Sequence, residues 1–185
     1  MNAYYLPESL TVCGIEYPIR YDFRAVVDIL IAMNDPELDG FYKTMVMIQI
    51  LFPDWQDIPP EHLQEAAKAA CDFIDCGQKD DGKPKPKLFD WEQDASIIIP
   101  AVNSVAHKDV RSVRNLHWWT FWSYFMEIGE CLFSSVLSIR TKKAKGKKLE
   151  KWEQDYYRDN RDLIDLKKKK SAEEKALQDY FDKWL

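Results

Sequence analysis

The sequence predicts a mainly α protein: a compact helical domain with a short N-terminal β-hairpin and a long helical C-terminal extension. Three observations lead there. Apolar residues recur at helical spacing through most of the chain, β-branched and aromatic residues flank a single turn near the N-terminus, and charge is divided unevenly along the length. The 185 residues carry 26 Lys and Arg against 31 Asp and Glu, a formal charge of −5, with 46% apolar and 14% aromatic residues, enough to build a core. Residues 141–185 hold 14 basic and 10 acidic side chains, a net +4, which leaves −9 for residues 1–140. We therefore expect a helical body at 1–140 and a basic, amphipathic extension at 141–185.

The hairpin is expected between Leu10 and Phe23, turning at Cys13-Gly14, where glycine tolerates a left-handed backbone. Asp22 then offers an N-cap to a helix with Phe23, Val26, Val27, Leu30 and Ile31 on one face, stopped at Asn34-Asp35-Pro36. A second helix carries Phe41, Met45, Ile48 and Phe52 and ends at Pro53. A third opens at Ile58-Pro59-Pro60-Glu61, buries Leu63, Ala66, Ala67, Ala70, Phe73 and Ile74, and is capped near Gly77.

The apolar-free stretch Gly77 to Lys87 predicts a solvated, mobile loop over about 77–88. Asp90 and Gln93 resemble a capping box for a helix with Trp91, Ala95, Ile98, Val102 and Val105 on one face, kinked at Pro100. The densest apolar segment, Leu116 to Phe125, places Trp118, Phe121, Trp122 and Phe125 on one stripe that Leu132, Val136 and Ile139 extend towards Arg140, the expected centre of the core. In the extension, Leu149, Tyr156, Leu163, Leu177 and Trp184 fall at heptad position a and Trp152, Leu166 and Tyr180 at d, interrupted by Asp159, Lys170 and Glu173. A long helix, or two helices breaking near Lys170-Ser171, is expected.

Chemistry-bearing residues are sparse. Cys13, Cys71, Cys76 and Cys131 lack disulfide-scaffold or zinc-site spacing, and Cys71 and Cys76 read as ordinary buried or half-buried thiols in a reduced compartment. His62, His107 and His117 lie in separate segments, and His117 beside two tryptophans reads as a packed ring rather than a general base. Asp90, Glu92 and Asp94 suit a helix N-terminus better than an acid/base pair or hard-metal site. No phosphate-binding glycine loop occurs. No enzyme activity, metal or cofactor is expected. Neither an apolar span of membrane length nor a leader-like N-terminus is present, so a soluble, unsecreted chain without membrane contact is expected.

Two features invite a partner. Trp119 turns about 100° from Trp118 on a helix, towards a second packing surface or a partner. Lys142, Lys143, Lys145, Lys147 and Lys148 with Trp152, Tyr156 and Tyr157 could bind nucleic acid, but the interleaved Glu150, Glu153, Asp155, Asp159, Asp162 and Asp165 favour a protein partner.

Several segments, Tyr21-Asp22-Phe23-Arg24, Phe73-Ile74-x-x-Gly77, Phe89-Asp90-Trp91-Glu92-Gln93-Asp94-Ala95, Leu116-His117-Trp118-Trp119-x-Phe121 and Ile139-Arg140, together resemble the bacteriophage family named after gene product fifteen of long-tailed phages and prophages of Gram-positive bacteria. Where that family usually has a glutamine-rich turn, this chain has Pro100 to Lys108. The resemblance implies a tail assembly chaperone or accessory factor in the host cytoplasm. It would bind helical segments of the tape-measure protein, a second tail assembly chaperone, or both, with a homo-oligomer possible. The expected anchors are Leu149, Trp152, Tyr156, Leu163, Leu177, Tyr180 and Trp184, with Trp119 as a further contact. The alternatives are a structural tail or head-tail component and, less favoured, a nucleic-acid-binding module.

Overall fold

The computed structural model describes residues 4–78, 82 and 86–167, so the loop expected over about 77–88 falls partly outside the described residues, as do Leu177, Tyr180 and Trp184. Strands β1 (Ser9–Val12) and β2 (Ile15–Pro18) pair antiparallel with Leu10 opposite Tyr17 and Val12 opposite Ile15. The turn between them has positive φ at both central residues, 49° at Cys13 and 81° at Gly14, the combination that matches the right-handed twist of a hairpin. Gly14→Val is expected to lower stability by about 1–2 kcal/mol through left-handed strain; an unshifted urea midpoint would contradict this.

The Asp22 carboxylate accepts from the Arg24 N–H at the start of α1 (Phe23–Met33), and Asp39 caps α2 (Gly40–Leu51) in the same way through Tyr42. Ile29 is fully buried on α1 along with Phe23 and Val26, while Val27, Leu30 and Ile31 are half-buried. On α2 the buried residues are Met47, Ile48 and Leu51, and Phe41 is 69% exposed, contrary to the expected stripe. Phe41 sits in the first turn, beyond the reach of the body. The Arg20 guanidinium closes the other end of α2, donating to the Gln49 and Ile50 carbonyls. A short 3-10 turn at Pro60–His62 leads into α3 (Leu63–Ile74). Its C-terminus turns through positive φ at Cys76 and Gly77, with the Gly77 N–H on the Asp72 carbonyl at 2.8 Å.

Asp90 does not begin a helix. Its carboxylate accepts from the N–H groups of Glu92 and Gln93, but only a turn forms, and α4 runs from Ala95 to Ala106, through Pro100. Trp91 is therefore buried in the turn before the helix. The stripe expected to run unbroken to Arg140 is also divided. Helix α5 (Trp118–Met126) and helix α6 (Leu132–Ala144) are separated by a segment containing Gly129, and the Ser134 hydroxyl accepts from the Cys131 N–H to begin the second. That restart puts Phe133 in the core and leaves Leu132 at 47% exposure. Beyond it come α7 (Lys151–Asp159) and the four-residue α8 (Arg161–Ile164). They break at Asn160, whose side-chain amide donates to the Tyr156 carbonyl, beside the interruption of the heptad at Asp159; the break expected near Lys170-Ser171 lies outside the described residues.

The core draws its buried side chains from the hairpin, from α1 to α6 and from Ile164 of α8. An antiparallel bridge joins Asp22 to His117, with the Trp118 N–H on the Tyr21 carbonyl at 2.7 Å and the Phe23 N–H on the Leu116 carbonyl at 2.9 Å. It starts α1 and α5 side by side, and Phe23 stacks on Phe121 with centroids 4.4 Å apart. Phe89, Trp91, Phe125 and Phe133 extend the aromatic cluster towards α6.

Candidate partner-binding surface

Three polar locks fix the frame on which any surface is displayed. The first uses the paired tryptophans. The Trp118 indole N–H donates to the Ile74 carbonyl at 2.8 Å and that of Trp119 to the Phe73 carbonyl at 2.9 Å, so α5 satisfies the last carbonyls of α3. Trp119 is thereby buried at 8% exposure, in the core rather than on a partner-facing side.

The second lock is His117. Its Nδ1 accepts from the Trp119 N–H, capping α5, and its Nε2 lies 2.9 Å from the Pro7 carbonyl, which fits the tautomer protonated at Nε2. Burial pushes its pKa below 6.5, more than the Pro7 carbonyl raises it. The unfolded chain therefore takes up a proton more readily, and stability falls as pH drops from the unfolded value towards the folded one. Between about pH 7.5 and about pH 5.5 the melting temperature is expected to decline, and His117→Asn, which keeps a capping oxygen without a titrating ring, should flatten that decline. Equal slopes for both proteins would contradict this role.

The third lock holds the extension. Arg140 pairs with Asp94 through two hydrogen bonds of 2.6 and 2.9 Å, and both side chains are buried. The remaining guanidinium N–H groups donate to the carbonyls of Leu88, Leu163 and Ile164. Gln93 adds a bond to the Asp165 carbonyl and accepts from the Lys167 N–H. Residues 149–167 are thus docked on the body. Lys142 is spent on the buried carboxylate of Glu153, while Lys143 reaches Asp165 and lies 3.7 Å over the Tyr157 ring. Burial opposes ionisation of Glu153 and Asp165, yet these ammonium partners hold both below the usual carboxylate range.

The docking redistributes the expected anchors. Leu149, Tyr156 and Leu163 are half-buried against the body, and Trp152 is 58% exposed. Two depressions among the described residues bear on binding. A cleft of about 800 Å³ between the hairpin and α3 is lined by Cys13, Glu61, Glu65, Lys68 and Asp72. There the Cys13 thiol donates to Glu65 at 3.2 Å, which pushes its pKa up and leaves it a poor nucleophile. Cys71 is exposed, against expectation, although its thiol reaches the Met47 sulfur of α2 at 3.9 Å and partial burial pushes its pKa up, and burial pushes the half-buried Cys76 thiol up to about 12. The second depression is apolar. Ile97, Pro100 and Ala101 of α4 face Cys131, Leu132 and Phe133 at the start of α6 around about 200 Å³. That volume is smaller than a typical small-molecule pocket and suits a side chain presented by a helix.

A family model described as bacteriophage Gp15 protein matches residues 4–166. The chain belongs to this family. Membership makes it a phage protein of the structural or assembly-related kind. No curated protein and no solved structure matches significantly. The segments that carry the Gp15-family resemblance include residues of all three locks: Phe73, Ile74, Gln93, Asp94, His117, Trp118, Trp119 and Arg140. In this Gp15 protein they hold the frame, and the exposed apolar residues around the α4/α6 groove lie outside those motifs. Among the described residues, no helix is long and apolar enough to cross a membrane, and no three His, Cys, Asp or Glu side chains are grouped to hold a metal ion.

Proposed function

We propose that this Gp15-family protein is a non-catalytic tail assembly chaperone or accessory factor that holds helical segments of the tape-measure protein in the host cytoplasm. The observation that carries the reading is the apolar α4/α6 groove, open to solvent at Leu132 and sized for side chains of a docked helix. Tape-measure chains are long and largely helical, with apolar stripes that need cover until the tail tube surrounds them, and an amphipathic helix laid in an apolar groove provides it. Lys142 and Lys143 are engaged by Glu153 and Asp165, which argues against phosphate binding by the full lysine cluster.

Pull-down of the tape-measure protein tests the surface. Leu132→Asp introduces a charge at the groove mouth and is expected to reduce capture at least about tenfold, the effect of roughly 1.4 kcal/mol. Trp152→Ala is a companion at the exposed face of α7. Unchanged capture by Leu132→Asp would remove the groove from the interface. Purified virions distinguish the structural alternative: a chaperone is depleted from them, whereas a tail or head-tail component is retained.

A further inference from the structure

We propose that the α4/α6 groove is selective for a basic amphipathic helix: an apolar side chain enters the groove while flanking Lys or Arg side chains pair with Glu127 and Glu130 on its rim. This deepens the reading of the groove as a docking surface and rests on it. Cys131, Leu132 and Phe133 form the α6 wall, and the connection from α5 leads directly into it. Phe125 near the end of α5 packs on Phe133 with centroids 5.6 Å apart, which holds that connection against the start of α6. Apolar and acidic residues interleave along it. Met126 is 59% exposed, Ile128 is half-buried, and Glu127 and Glu130 are exposed, ahead of Leu132 at the groove mouth. An amphipathic helix with a basic flank presents the complement, an apolar stripe bordered by positive charge.

Both carboxylates lack a cation: the ion pairs among the described residues use other acids. In the segments that build the groove, residues 90–109 and 123–140, Asp90, Asp94 and Asp109 are paired with Lys87, Arg140 and Arg111. Beyond those pairs the exposed charged side chains are Glu92, Glu127 and Glu130 against Lys108, a net −2 with His107 neutral. The Asp94–Arg140 pair joins the start of α4 to the far end of α6, so the two helices run antiparallel and the rim carboxylates lie towards the Lys108 end. Lys108 can offset only one of the two. Glu127 is, moreover, the C-cap of α5, whose last turn holds no basic residue. A carboxylate there adds to the partial negative charge of the free helix carbonyls, which costs stability in the free chain and favours an incoming cation.

The test uses two synthetic peptides of about 18 residues, five helical turns, with the same leucine stripe at i, i+3, i+4 and i+7 and either Lys or Gln beside it. Fluorescence anisotropy of each labelled peptide is followed on titration with the full chain. The lysine peptide is expected to bind at least about tenfold more tightly at about 0.05 M salt, with a smaller ratio at about 0.5 M. The Glu127→Gln, Glu130→Gln double variant should bring the ratio to about one and leave the glutamine peptide's affinity unchanged. The Asp28→Asn, Glu61→Gln variant removes two exposed carboxylates outside the groove and should keep the native ratio. An equal loss of ratio in that control overturns the proposal by assigning the preference to net charge. Equal binding of both peptides by the native chain also overturns it; if Leu132→Asp then weakens both, the groove still docks helices and only its charge preference falls. If neither peptide binds, the docking surface falls as well. Glu127→Gln is also expected to raise the melting temperature, and a lower one contradicts the proposal by making Glu127 a stabilising residue of α5.

Discussion

Arg140→Ala is expected to lower the unfolding free energy by about 3–5 kcal/mol, because it strands the buried Asp94 carboxylate without its partner. Part of the loss should be local. The same guanidinium donates to the carbonyls of Leu163 and Ile164, so limited proteolysis of the variant should gain early cleavage within 149–167 under conditions where the native chain is intact. Asp94→Ala should cost a similar amount, and the double variant should cost clearly less than the sum, since the second substitution removes a charge already unpaired. Urea denaturation of the four proteins measures this. Additive losses would mean that the ion pair is not the unit that holds the extension, and an unchanged cleavage pattern would mean that the docking survives without it.

Trp118→Ala should be comparably damaging, about 3–5 kcal/mol, because the ring is 1% exposed and packs against Trp91, Phe121 and Trp122. Trp118→Phe separates packing from hydrogen bonding. It retains much of the ring contact but leaves the Ile74 carbonyl without the indole donor, for an expected loss of about 1–3 kcal/mol. If the phenylalanine variant were as stable as the native chain, the indole lock between α5 and α3 would contribute nothing, and the paired tryptophans would be packing residues alone.

Local devices were legible in the sequence. Asp22 as a helix cap, the turn at Cys13-Gly14, the stop at Gly77 and the apolar weight of Leu116 to Phe125 all depend on neighbours within a few residues, and the structure contains each. What the sequence hid is long-range. Asp94 looks like one of three acidic residues near a helix start, and nothing local says that Arg140 completes it. The signal was indirect: Asp94 and Arg140 each lie in a motif that resembles the Gp15 family, and Arg140 follows the buried Ile139 where an unpaired charge would be costly. The division between α5 and α6 was missed because Leu132, Val136 and Ile139 continue a helical spacing by coincidence. The restart at Cys131 and Ser134 shifts the buried face to Phe133. That shift also creates the groove, since it turns Leu132 outward beside Pro100, and so the surface was no more visible in the sequence than the break itself.

Coexpression with the tape-measure protein tests the central claim most directly, with the soluble fraction of the tape-measure chain as the readout. The account predicts that this fraction rises when the native chain is present and falls back with the Leu132→Asp variant, provided the variant itself is folded. A tape-measure chain equally soluble with and without the native protein would contradict it.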